Sequence, residues 1–136
     1  MSMMVEVKTS ELQGPALDWA VAKATQAEEL KISGSGRVSC IYEMAPMEGC
    51  WTNDYQPSTE WSEGGPLIEK YHIQTSYNGR GFKTDSGEYW CAYVCNAAGV
   101  EQRPSGGGGT PLVAACRAIV ATKFPDTVSV PAELVR

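Results

Sequence analysis

A chain of 136 residues with 43% apolar and 20% charged content has the size and make-up of one domain, spanning 1–136, with enough bulk for a real core. A formal charge of −5 argues against direct binding to duplex nucleic acid, which needs surplus cations, although a small anion needs only two or three donors. No apolar run approaches the roughly 20 residues of a membrane span, and the first residues lack the basic and apolar regions of a signal peptide, so a cytoplasmic protein without a membrane partner is expected.

In chain order, Met4–Lys8 alternates as a short strand, and Thr9–Leu12 reads as a turn. Pro15 suits the first turn of a helix through Ala16–Ala24, with Leu17, Ala20, Val21 and Ala24 on one face and Asp18 and Lys23 pointing elsewhere. Gln26–Lys31 is polar and reads as the end of that helix. Ser33–Gly36 is a turn before a strand over Arg37–Tyr42, and Glu43–Asn53, with Pro46 and Gly49, reads as loop. From Ser58 the sequence predicts one helical turn, a break at Gly64-Gly65-Pro66, and a second short helix from Pro66. Tyr71–Thr75 passes into strand, and Ser76–Gly87 reads as a long hairpin connection. Glu88–Cys95 is the strongest strand, with Trp90, Ala92 and Val94 on one face. Asn96–Ser105 reads as loop.

The last third centres on Gly106–Lys123. Four glycines lead into Thr110, a good N-cap, and Pro111, which fits the first helical position. The following run, apolar on nearly every face, predicts a helix buried on nearly every face. Thr127–Pro131 closes as a short edge strand. The expected fold class is α/β (α+β): a single-layer, mainly antiparallel sheet packed with two main helices and a short third as a compact sandwich.

Three ordered stretches carry a resemblance. Leu17-Asp18-Trp19-Ala20-Val21-Ala22 is followed by Pro57-Ser58-Thr59-Glu60-Trp61 with Gly64-Gly65-Pro66-Leu67-Ile68-Glu69. The third is Gly109-Thr110-Pro111-Leu112-Val113-Ala114-Ala115-Cys116-Arg117-Ala118. Together they resemble the NinX-type proteins of temperate phages, and more loosely small phage α-β-α sandwich domains. The resemblance implies a phage accessory protein made in an infected bacterial host and implies no established reaction. Small phage proteins of this kind often act on host physiology or defence, including by sequestering nucleotide-like immune signals.

Candidate ligand-binding residues come from four places. Gly108, Gly109 and Thr110 open the buried helix, where N–H groups favour an anion, although Pro111 removes one donor and no Lys-Ser/Thr pair makes a Walker A loop. Plain capping is the alternative. Arg117, inside that helix, needs a partner: Glu60, Glu63, Glu69 or an external anion. Ser58, Thr59, Trp61, Gly64 and Gly65 form a polar segment in which Trp61 is the expected exposed stacking platform. Arg80 and Lys83 lie in the glycine-rich connection, as either a lid over an anion or a solvated loop.

Catalytic, metal and cofactor signals are poor. The five cysteines are read as free thiols. Cys91 and Cys95 would stand roughly 13 Å apart on a strand, too far to chelate one metal. His72 is the sole histidine and has no nucleophile motif around it. The expectation is therefore a homo-oligomeric, non-enzymatic protein that binds a small anionic, nucleotide-like ligand. The rivals are a protein-interaction module and an accessory of phage DNA metabolism.

Overall fold

The computed structural model describes residues 3–45, 47–77, 90–95 and 101–135, with backbone alone at 44–45 and 101–106. In chain order the elements are β1 (Met4–Lys8), a 3-10 turn (Thr9–Glu11), α1 (Gly14–Ala24), β2 (Glu28–Ile32), β3 (Val38–Ala45) and β4 (Glu48–Thr52). They continue with α2 (Trp61–Lys70), β5 (Ile73–Tyr77), β6 (Trp90–Cys95), β7 (Glu101–Gly108), α3 (Pro111–Lys123), β8 (Thr127–Pro131) and a closing 3-10 turn (Ala132–Leu134).

Helix α3 is the central element. Thr110 caps it by accepting the Val113 N–H at 3.1 Å, and Pro111 occupies the first turn, as the sequence predicts. Leu112, Ala114, Ala115, Cys116, Ala118, Ile119, Val120 and Ala121 are all buried. Their small side chains let neighbours come close, and α3 packs on β7, β6 and α1. From α1 the expected face of Leu17, Ala20, Val21 and Ala24 enters this core. Asp18, expected to point away, is buried with them at 4% exposure.

The α+β class, the antiparallel pairing, the two main helices and the shorter third are as expected. The strands do not form one sheet, however. They divide into β1-β8, β2-β3-β4 and β5-β6-β7, every pair antiparallel. The first joins the two ends of the described chain, with Val5 opposite Val130 and Val7 opposite Val128.

Three strands were hidden by composition. Polar β2 buries only part of alternate residues, Leu30 and Ile32, and takes its structure from pairing with β3. The α1 helix ends before it in a Schellman motif: Gln26 N–H donates to Lys23 O and Ala27 N–H to Ala22 O, with Gln26 left-handed at φ 62°. Strand β4 pairs with β3 just past the turn at Met47, itself left-handed at φ 66°. The glycines are not a connector, because Gly106, Gly107 and Gly108 continue β7 opposite Ala92, Cys91 and Trp90. At the edge of its sheet β7 also tolerates Pro104, which has no N–H to donate.

The expected break in α2 does not occur: the helix runs through Pro66. Pro66 is the sixth residue of the helix, so its missing N–H costs a single bond near the first turn. Tertiary packing offsets that loss, because Gly64 presses directly on the Pro57 carbonyl and on Leu112 of α3. A β-carbon at Gly64 would stand 2.2 Å from Pro57 O and 2.7 Å from Leu112 Cδ2. At Gly65 the nearest atom would be Trp61 Cε3 at 3.9 Å.

These neighbours give opposite expectations for two adjacent glycines. Gly64→Ala should lose about 2–3 kcal/mol of stability through overpacking against backbone. Gly65→Ala should gain about 0.5–1 kcal/mol through helix propensity. Urea unfolding of both variants is the check, and a Gly64→Ala protein as stable as wild type would refute the packing role.

Candidate functional site

The residues named from sequence fall around the starts of two helices. Before α2, Ser58 is buried and donates its backbone N–H to Asp18 Oδ1 at 2.9 Å. Thr59 is exposed, with its hydroxyl 3.3 Å from Gln56 Oε1. Trp61 is the first residue of α2 and is 58% exposed, as its polar surroundings predict. No side chain caps this helix, and among the described residues no acceptor meets the Trp61 and Ser62 N–H groups. Glu63 instead folds back, its Oε1 accepting the Gln56 N–H at 2.7 Å, and partial burial holds its carboxyl above the usual range. Gly64 belongs to the packing described above, and Gly65 flanks the Trp61 ring.

At the start of α3, Gly109 and Thr110 are exposed, and Gly108 is buried beneath the helix. The Thr110 hydroxyl is engaged in its cap. Arg117 donates from Nε to Leu12 O at 2.9 Å and from Nη1 to Gly107 O at 2.7 Å, so backbone carbonyls take the place expected for Glu60, Glu63 or Glu69. The Gly64–Leu112 contact links the two helix starts, while Thr110 and Arg117 are held by different partners and Trp61 is exposed. Arg80 and Lys83 lie outside the described residues.

Sequence reasoning missed two features. One is a cleft of about 400 Å³ between the end of α1, the β2–β3–β4 sheet and the C-terminal half of α2. Glu28, Tyr42, Glu43, Glu48 and Lys70 line it, and Lys70 Nζ meets Glu43 Oε1 at 2.7 Å. That ion pair holds the Glu43 carboxyl below its usual range. Most of the lining comes from stretches that read as a polar helix tail and a loop, so no motif announced it.

The other is Asp18. A signal was available, since Asp18 sits three and four residues before Val21 and Ala22 in a helix with few polar positions. It lines a crevice of about 80 Å³ with Arg37, Asp54, Gln56 and Thr59. Burial pushes its carboxyl up to about 6, and the nearby charges of Glu63 and Asp54 push the same way. The Ser58 contacts oppose them. Burial also pushes the Cys116 thiol up, so it stays protonated and adds no negative charge beside Asp18.

A raised carboxyl means that the folded chain holds its proton more tightly than the unfolded one. The associated stability is full below about pH 4 and is lost as pH rises through about 6, a cost on the order of 3 kcal/mol above that. Asp18→Asn keeps an oxygen for the Ser58 N–H and removes the charge. Its melting temperature should exceed wild type by several degrees at pH 7.5 and match it near pH 4. Melting curves across that range test this, and a uniform offset at all pH values would contradict it.

No described helix is long and apolar enough to cross a membrane. Among curated proteins none matches the chain significantly. A family model described as bacteriophage P22 NinX matches residues 8–123, which takes in the described helices α1, α2 and α3 and every motif that carried the resemblance. The chain belongs to the phage P22 NinX family.

Proposed function

We propose that this phage accessory protein binds an anionic, nucleotide-derived host metabolite or immune signal without turning it over, and that holding the ligand counters host defence. The observation that carries this reading is Trp61, more than half exposed as the first residue of a helix that no side chain caps. An exposed indole offers a stacking face for a base. The adjoining N–H groups of Trp61 and Ser62 lie at the positive end of the helix dipole and suit a phosphate. The Thr59 hydroxyl stands beside them in sequence and is exposed. Sequestration needs affinity and copy number rather than chemistry, and a homo-oligomer would multiply the sites.

A second reading, a module that inhibits a host or phage protein, draws on a separate fact. Trp51 on β4 and Tyr77 on β5 are also more than half exposed, and aromatic side chains dominate the energetics of protein interfaces. The two readings separate in one pair of experiments. Calorimetric titration of a panel of linear and cyclic nucleotides should find a ligand whose affinity falls roughly 10- to 100-fold in Trp61→Ala, as expected for a lost stacking contact. That ligand should be recovered chemically intact from denatured protein. Absence of heat across the panel, together with a stoichiometric host protein retained on Trp61-containing bait, would replace the first reading with the second.

A further inference from the structure

We propose that the cleft between the β2–β3–β4 sheet and the C-terminal half of α2 is a second binding site, for a small aliphatic amine or guanidine. Its volume, about 400 Å³, is that of a small-molecule pocket. Its charge selects the ligand. Glu28, Glu43 and Glu48 line it against one cation, Lys70, and Lys70 is already paired with Glu43. Glu28 and Glu48 form no ion pair among the described residues, so no described cation compensates these two carboxylates.

Aromatic and aliphatic side chains line part of it. The Tyr42 ring meets that of the buried Tyr55 at a tilt of 31° with centroids 4.9 Å apart, and Ile41 and Leu67 also line the cleft. Burial holds the Tyr42 phenol up at about 12, so this phenol is neutral at physiological pH and the negative charge stays with the carboxylates. Carboxylates in a cleft partly lined by aliphatic and aromatic side chains match an alkyl chain ending in an ammonium or guanidinium.

The protein supplies its own precedent. Lys70 is itself an alkylammonium, held 2.7 Å from the Glu43 carboxylate and 5.5 Å from the Tyr71 ring centroid. A ligand amine would make the same kind of contact with Glu28 and Glu48, and would compete with Lys70 for Glu43. An anion meets three carboxylates here. The site is therefore distinct from the one at Trp61 and does not depend on the proposed function.

The test uses the whole protein and follows the Gln26 and Gly49 amide resonances during titration with butylamine, butylguanidine, 1,4-diaminobutane and a blocked arginine tripeptide. Saturable shifts with the free amines or the guanidine are expected. The double variant Glu28→Gln/Glu48→Gln, at two exposed positions, should weaken binding about 10-fold or more. Lys70→Met should tighten it several-fold by releasing Glu43. Glu6→Gln/Glu11→Gln makes the same charge change outside the cleft and should alter affinity less than about 2-fold. Thermal melts confirm that each variant is folded. The proposal is overturned if no free amine or guanidine gives saturable shifts into the tens of millimolar, or if only the tripeptide binds. It is equally overturned if the remote pair weakens binding as much as the cleft pair.

Discussion

Where Gly108 passes beneath α3, a β-carbon would stand 2.7 Å from Val113 Cγ1 and 3.3 Å from Arg117 Nη1. That lack of bulk lets a helix rich in alanine settle on the end of β7 and be covered by β6 and α1 as well. Close approach also resolves the problem posed by Arg117. A guanidinium inside such a helix would be costly if unsatisfied, and the strand brings the Gly107 carbonyl to Nη1 at 2.7 Å while the segment before α1 brings the Leu12 carbonyl to Nε. The glycines and the arginine are therefore two halves of one arrangement. A bulkier strand would hold α3 away and leave the cation without that carbonyl.

Elements whose signal is local could be read from the sequence. The Thr110-Pro111 start, the apolar course of α3, the buried face of α1 and the alternation of β1 and β6 each announce themselves within a few residues. The strands β2, β4 and β7 do not. Glu28–Ile32 is mostly polar, Glu48–Thr52 begins two residues after a proline in the sequence, and β7 contains three glycines and a proline, so each is a strand only because a neighbour pairs with it. The same distinction explains α2. Gly64-Gly65-Pro66 is a poor helical sequence considered alone, but Gly64 is the residue that fits between the Pro57 carbonyl and Leu112. The exposure of Trp61 was legible from its polar neighbours. The burial of Ser58 was not, because its partner Asp18 lies 40 residues earlier.

That partnership shows what fixes the direction of the α2 helix start. Asp18 binds the Ser58 N–H from α1, and Gly64 seats the helix on Pro57 and α3. The carboxylate is held in this position against the cost of its own desolvation. A neutral asparagine would make the same hydrogen bond without the charge, so the bond by itself does not account for the carboxylate. What the charge adds is a carboxylate in the crevice that Arg37, Asp54 and Thr59 also line.

Helix α2 itself orders the charges at its two ends. Its N-terminus carries the positive end of the backbone dipole and, with Trp61 first in line and no side-chain cap, leaves N–H groups open there. Its C-terminus carries the negative end, and Lys70 stands in the last turn, as the dipole favours. That same negative end faces the cleft in which Glu28, Glu43 and Glu48 outnumber the lysine. Dipole and side chains thus act in the same sense at the cleft, deepening its preference for cations. At the opposite end they act against each other, because Glu60 and Glu63 lie beside the open N–H groups. Folding Glu63 back onto the Gln56 N–H gives one of those two carboxylates a donor of its own, away from the Trp61 and Ser62 N–H groups, which therefore stay open.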